Sequence, residues 1–200
     1  MILSAEARQR KTDEYMEQKR KRLNHPDCIV IAARVIDSHL LAQMLLPLDR
    51  SMNAMRMRAG GKWISVTDAA EAGQRITSWI VRAKELASEL SPRSAFAVAL
   101  DIDSTKENEI LARQRNTYAF VPASPEGAGL ARMIKVLDAA FLDYRTKAPM
   151  QDSASVNAAF AAVRALVKEF HDMTASMAEK TRTTFIPPRA YSPYVSRGAN

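Results

Sequence analysis

A short segment in the middle of a helical sequence limits the folds open to this chain more than any other feature. Residues 116–121, NTYAFV, are predicted to form a strand, and a proline follows at once. A single strand cannot satisfy its own backbone N–H and C=O groups. The strand therefore needs a partner, which is either another part of this chain or a second copy of it.

The rest of the chain is predicted to be mainly helical, because apolar residues recur at the spacing of a helix face in most long segments. Helices are predicted at about 4–23, 27–58, 67–90, 125–144 and 153–181. Pro47 should kink or end the second of them. The segment 95–102, AFAVALDI, fits either a short buried helix or a buried strand that could pair with NTYAFV. No internal repeat is evident.

The charge of the chain favours a polyanion as its partner. The net charge of +7 makes nucleic acid the first candidate, and an acidic protein or a membrane surface comes next. The one cysteine, Cys28, excludes an intrachain disulfide and fits a reducing cytosol. No apolar run is long enough to span a membrane, and the first residues lack the apolar core of a signal peptide. A cytoplasmic protein with no membrane partner is expected.

The order strand, proline, helix, turn, helix at 116–181 resembles the ribbon–helix–helix module of DNA-binding proteins. In that module each of two chains gives one strand, and the paired strands enter the major groove of DNA, which is wide enough to admit them. A proline commonly follows the strand in that family, as Pro122 or Pro125 does here. The resemblance implies a homodimer. This chain departs from the family in its mid-chain strand and its longer first helix.

The same resemblance assigns residues to an interface with double-stranded DNA. Arg115, Asn116, Thr117 and Tyr118 would meet base edges, and Arg113 would reach a phosphate or a guanine edge. Alternate residues of a strand point to opposite sides, and the sequence leaves open which side faces the DNA.

The second helix of the module begins with small polar residues whose backbone N–H groups hold a phosphate. DSASVN at 152–157 occupies that place, so Ser153 and Ser155 are the expected phosphate contacts. The basic run KRKR at 19–22 would add salt-dependent affinity, or is simply a solvated helix end.

Three segments, 31–49, 117–138 and 164–182, are similar to segments of the AcaB-like family. Its members are transcriptional regulators of conjugative plasmids and integrative elements, with a ribbon–helix–helix core inside longer extensions. The similarity covers about a third of the chain and consists of apolar pattern and a few polar identities. It implies a dimeric DNA-binding transcription factor, and it would account for a strand in mid-chain.

These features predict a mainly α protein, a helical bundle in which one short strand forms an intermolecular ribbon–helix–helix-like dimer core. The regions expected are an N-terminal helical extension at 1–92, the core at 93–182 and a flexible tail at 183–200. The predicted function is sequence-specific DNA binding by a homodimeric transcriptional regulator, with conjugative-transfer genes as the targets that the resemblance suggests. No cofactor or metal is expected.

An enzyme is the least favoured alternative. FAVALDIDST at 96–105 is similar to the first motif of haloacid-dehalogenase-type phosphotransferases, in which Asp101 would be the nucleophile and Asp103 the general acid or base beside a magnesium ion. No acidic pair follows at a later strand end, so no enzyme is predicted. His25 and Cys28 have half the spacing of a zinc site, but no second pair follows.

The stronger alternative is a helical interaction or assembly subunit that binds no nucleic acid. The apolar stripes on 27–45 and 156–177 would then form the partner surface, and Leu41 and Phe160 would be essential to it.

Overall fold

The computed structural model describes residues 5–91, 116–148 and 152–188. Within these ranges the chain is mainly helical, as the sequence predicts. In chain order the elements are helix α1 (Ala5–Leu23), strand β1 (Ile29–Ala32), helix α2 (Ile36–Arg58), helix α3 (Val66–Leu90), strand β2 (Thr117–Phe120), helix α4 (Pro125–Lys147) and helix α5 (Ser153–Thr181). The mid-chain strand and the helices on either side of it are confirmed. AFAVALDI and the phosphotransferase-like motif lie outside the described residues.

Strand β2 pairs with β1 of the same chain. The pairing is antiparallel, with Ile29 opposite Phe120 and Ala32 opposite Thr117. We call these two paired strands the ribbon. The prediction of a helix from residue 27 is therefore wrong over its first nine residues. The segment IVIA is rich in β-branched residues, which favour a strand. Its apolar pattern is too short to distinguish a strand from the start of a helix. The strand that pairs with β2 therefore lies within the same chain. The unpaired backbone groups of β2, which had suggested a homodimer, are satisfied by β1.

Helix α2 does not end at Pro47, where the sequence predicts a kink or an end. A proline inside a helix removes one backbone hydrogen bond and costs about 3 kcal/mol. The neighbouring Met44, Leu45 and Leu48 are almost completely buried. Each such side chain contributes about 1.5–3 kcal/mol by leaving water, which offsets the cost of the proline.

The unit strand–helix–helix occurs twice in the described chain, as β1–α2–α3 and as β2–α4–α5. The first helices of the units begin at Ile36 and Pro125, which are 89 positions apart. At the same separation the sequence repeats LAQMLLPLD (41–49) as LARMIKVLD (130–138), with five of nine positions identical. The sequence therefore does carry an internal repeat, which its low overall identity conceals.

The helices of each unit pack mainly against helices of the other unit. Helix α2 packs chiefly against α5, and α3 packs chiefly against α4, while α2 and α4 also pack against each other. The indole N–H of Trp79 on α3 donates to the Leu166 carbonyl of α5 at 3.0 Å, which joins the two second helices. One hydrophobic core results, and residues on both sides of the predicted boundary at 92/93 contribute to it.

The apolar stripes that the interaction-subunit alternative assigned to a partner are used within this core. Leu41 has no exposed surface. Phe160 packs edge to face against Phe141, with ring centroids 5.1 Å apart. Both side chains are therefore internal contacts of the bundle. Of the tail predicted at 183–200, residues 183–188 are described, and Phe185 packs beside His171.

A buried carboxylate of the second unit holds the turn between β1 and α2. Asp138 of α4 accepts hydrogen bonds from the backbone N–H groups of Arg34 and Val35, at 2.8 and 3.2 Å. Its other oxygen pairs with Nε of Arg34 at 2.8 Å. A buried carboxylate is stable only when it is hydrogen-bonded in this way, so the turn and α4 fix each other.

A carboxylate of the first unit makes the equivalent contact with the turn before α4. Asp49 of α2 accepts hydrogen bonds from the backbone N–H groups of Ala123 and Ser124, at 2.7 and 3.0 Å, just before α4 begins. The Ser124 hydroxyl donates to the same carboxylate and accepts from the N–H of Gly127 as the helix cap. Burial raises the pKa of Asp49, and the hydrogen bonds from the turn act against that rise. Asp49 and Asp138 end the two copies of the repeated motif.

No helix among the described residues is both long and apolar enough to cross a membrane.

Gly127→Ala should destabilise the protein by about 2 kcal/mol, the usual cost of overpacking a buried site. A Cβ at this position would collide with the carboxylate of Asp49. The matched control is Gly73→Ala on α3, where the new Cβ would lie 3.8 Å from Met52 Cε, an ordinary contact. The control should stabilise by about 0.5–1 kcal/mol through helix propensity. Urea denaturation measures both, and equal effects of the two variants would contradict the Asp49 contact.

Pairing within the chain can be tested by a disulfide. Ala33 N–H donates to the Asn116 carbonyl at 3.0 Å, so Val30 and Ala119, three positions further along each strand, form a non-hydrogen-bonded pair with close side chains. In a Cys28→Ser background, Val30→Cys with Ala119→Cys should oxidise to a cross-linked monomer of 22.2 kDa on a non-reducing gel. A band of twice that mass would show that the strands pair between chains.

Candidate functional site at the paired strands

The ribbon has one face toward the core and one face away from it. Directly paired residues share a face, and successive residues alternate. The core-facing set is Ile29, Ile31, Tyr118 and Phe120. The opposite set is Val30, Ala32, Thr117 and Ala119. Tyr118 therefore lies on the core-facing side and Thr117 on the opposite side, but that opposite side is covered too, because Val30, Thr117 and Ala119 are also buried.

The predicted base-reading residues have different surroundings. Arg113 and Arg115 lie outside the described residues. Asn116 is exposed at the end of the ribbon, and its φ of 67° is in the left-handed region that asparagine tolerates better than most residues. Thr117 is only 3% exposed, and its hydroxyl has no hydrogen-bond partner in the described chain. Asn116 is thus the predicted residue that is open to a ligand here.

Tyr118 belongs to a hydrogen-bonded set rather than to an open surface. Its hydroxyl contacts Nδ1 of His39, and Nε2 of His39 lies 2.8 Å from the side-chain nitrogen of Gln43. Burial raises the pKa of Tyr118 to about 12 and lowers the pKa of His39 below its usual value. Both shifts favour the neutral form of the side chain, and the partly buried phenol is engaged by His39.

The predicted phosphate clamp at the start of α5 carries a carboxylate of its own. Asp152 caps the helix by accepting from the backbone N–H of Ser155 at 2.8 Å and from its hydroxyl at 2.6 Å. These bonds lower the pKa of Asp152, so the group is anionic and opposes a phosphate. Ser153 is exposed beside it.

The ribbon and the start of α5 lie at opposite ends of α4. The helix runs from Pro125 to Lys147, and its 23 residues span about 34 Å at 1.5 Å per residue. At its far end the Tyr144 hydroxyl donates to the Ser155 carbonyl. The strand residues and the serines at 153 and 155 therefore do not meet in one site.

The structure instead brings basic side chains to both ends of the ribbon. Helix α1 contacts β2, and its last turn carries Arg20, Lys21 and Arg22 close to the start of β1. At the other end Arg34 follows β1, with a half-exposed side chain that is anchored on Asp138. The run at 19–22 was recognised in the sequence, whereas the role of Arg34 depends on a contact from another unit.

A second exposed surface, around Trp63, was not predicted from the sequence. Trp63, in the loop between α2 and α3, is 73% exposed. Lys62 Nζ lies 5.2 Å and Arg182 Cζ 5.3 Å from the centre of its ring, within the range of cation–π contacts. The signal available was a tryptophan in the glycine-rich stretch AGGKW, where a core role is improbable.

In the described part of the chain, no three His, Cys, Asp or Glu side chains come together in a way that could hold a metal ion.

Comparison with known proteins gives no relative. No family model, no curated protein sequence and no solved structure matches this chain.

The partly buried His39 should make stability depend on pH. Because the pKa of His39 is lowered in the folded protein, the unfolded chain takes up this proton first as the pH falls below about 6.5. The free energy of unfolding should therefore fall between about pH 7.5 and pH 5.5, and His39→Gln should reduce that fall. Urea denaturation at several pH values measures it.

The control for this experiment is Tyr118→Phe. It removes the hydroxyl that contacts His39 but leaves the imidazole partly buried as before. It should lower stability at every pH and keep the pH dependence. If His39→Gln leaves the pH dependence of the wild type intact, another group causes it.

Proposed function

We propose that this chain is a ribbon–helix–helix-type DNA-binding protein that carries both strand–helix–helix units in one polypeptide. The observation that carries the proposal is the ribbon within the chain, with each strand followed by two helices and the helices packed across the units. An antiparallel two-stranded ribbon has the dimensions to enter the major groove of DNA, and in this chain the exposed end at Asn116 is the part that is open to it. One chain then supplies what two chains supply in the module that the sequence resembles.

The charge distribution supports duplex DNA as the ligand. Arg20, Lys21 and Arg22 flank one end of the ribbon and Arg34 the other, in a chain of net charge +7. Cations on both sides of an element in the groove can contact the two phosphate backbones and fix its position. Each phosphate that is neutralised releases condensed counterions and makes the affinity depend on salt.

Base reading is assigned to the end of the ribbon rather than to its face. On the side of the ribbon away from the core, Val30, Thr117 and Ala119 are buried and offer no groups to base edges. Asn116 is exposed at that end, and Arg113 and Arg115 precede it in the sequence. Asparagine and arginine are the side chains that most often pair with adenine and guanine edges. Regulation of transcription, with conjugative-transfer genes as targets, follows from the AcaB-like resemblance and belongs to this proposal.

Binding should be measured by fluorescence anisotropy with a mixed-sequence duplex over a salt series. The wild-type log affinity should fall linearly with log salt. Arg20→Gln with Lys21→Gln should reduce the slope by about 1–2, since each lost phosphate contact removes about one. The control is Arg75→Gln with Lys84→Gln on the exposed side of α3, which changes the net charge equally and should leave the slope unchanged.

Two outcomes would count against the proposal. No binding even at low salt would exclude DNA as the ligand. Equal slopes for the two double variants would mean that net charge alone governs binding and that α1 does not contact phosphate. With binding established, Arg115→Ala should reduce the affinity for the preferred site by about 1–3 kcal/mol if Arg115 touches a base.

A protein-interaction role is the second candidate, and the exposed Trp63 favours it. Met57 and Val66, which lie close to Trp63 in the sequence, are 79% and 66% exposed. Several large apolar side chains exposed close together mark an interaction surface more often than single scattered ones do. A wild-type protein that fails to bind DNA would make this surface the leading candidate.

A further inference from the structure

A cavity of about 480 Å³ lies between α1, the ribbon and α2. This volume is within the range of sites that hold small organic molecules. Its inner wall is apolar and is formed by Ile31 and Phe120 of the ribbon and by Ala42, Leu45 and Leu46 of α2. Such a wall suits a hydrocarbon or aromatic body.

The α1 side of the cavity is cationic. Lys19 and Arg22 both line it, and none of the described lining residues is an aspartate or a glutamate. Lys19 is only 9% exposed, although lysine is almost never buried without a partner. Neither side chain makes a hydrogen bond or an ion pair with another described residue, unlike Lys21, which pairs with Glu17 at 2.8 Å. Burial lowers the pKa of Lys19, as expected for an ammonium group without a counter-charge.

Polar groups stand beside these cations. Gln18 of α1 and Gln43 of α2 line the same cavity, and both can donate or accept hydrogen bonds. An unpaired buried cation is costly to a protein, and an anionic ligand would remove that cost. The lining thus combines an apolar wall, two unpaired cations and amide groups.

We propose that this cavity binds a small organic anion with an apolar body, such as an amphipathic carboxylate or phosphate ester. The anionic group pairs with Lys19 and Arg22, and the apolar body lies against Ile31, Leu45 and Phe120. The site rests on the cavity and its lining, and of the cations assigned above to DNA phosphates it shares Arg22 alone.

The test uses two fluorescent probes that share an apolar body and differ in charge. The first is 8-anilinonaphthalene-1-sulfonate, and the second is the uncharged N-phenyl-1-naphthylamine. Each probe is titrated into the wild-type chain and into its variants. Lys19→Met should weaken sulfonate binding about tenfold or more, because it removes a charge-assisted contact. It should leave the neutral probe within about twofold. Dodecanoate should displace the sulfonate probe better than dodecanol does.

Three variants complete the test. Lys21→Met removes an exposed cation from the same helix and should change neither affinity. Lys19→Arg keeps the charge and should keep the sulfonate affinity, which also shows that position 19 tolerates substitution. Ala42→Phe places a ring in the cavity and should weaken both probes. Circular dichroism confirms that each variant is folded.

Three results would overturn the proposal. If Lys19→Met weakens both probes equally, the cavity is an apolar site without anion recognition. If Lys21→Met weakens the sulfonate probe as much as Lys19→Met does, the probe binds the basic surface of α1. If neither probe binds the wild-type protein, the cavity takes no such ligand.

Discussion

Backbone pairing between two short strands determines how the rest of this protein is arranged. Ala32 and Thr117 are 85 positions apart in the sequence and lie directly opposite each other in the ribbon. Antiparallel pairing places the ends of the two strands, and hence the starts of α2 and α4, at opposite ends of the ribbon. The two helices must then cross over each other, and each meets the second helix of the other unit. The shared core follows from that exchange.

Two carboxylates make the arrangement specific. Apolar packing alone would tolerate other registers between α2 and α4, since leucine and methionine side chains adapt to one another. Asp49 and Asp138 do not tolerate them, because a buried carboxylate that misses its hydrogen bonds is costly. Each carboxylate finds backbone N–H groups at one place, the turn before the other unit's first helix. Strand pairing therefore places the helices roughly, and these contacts fix their register.

The sequence was a good guide to elements whose signals are local. Helix α4 begins at Pro125 after the cap residue Ser124, and α5 begins at Ser153 after the cap residue Asp152, so both starts were predictable. Strand β1 was missed because Ile29–Ala32 runs into the apolar pattern of α2, and the two periods overlap there. What makes it a strand is β2, far away in the sequence. Tertiary pairing overrides local preference in such cases.

The candidate site was predicted less well, for a related reason. Tyr118 and Thr117 are adjacent and lie on opposite sides of the strand, and a shift of one position in a strand reverses which of them faces the core. Asp138 looks like an ordinary polar position on an amphipathic helix until its contact with Arg34 is known. The basic run at the end of α1 was found, because charge can be read without topology. Which side chains are buried, and which residues they contact, could not be predicted in that way.

The presence of both units in one chain changes how the protein can evolve. In a homodimer every substitution is made twice, so an improvement on one side is imposed on the other. Here a substitution alters one unit only, and the two units differ at corresponding positions, such as Ser38 and Gly127 or Pro47 and Val136. One half can keep the fold while the other adapts. For a ligand that spans both halves, such as a duplex, the two contacted segments need not be inverted copies of each other.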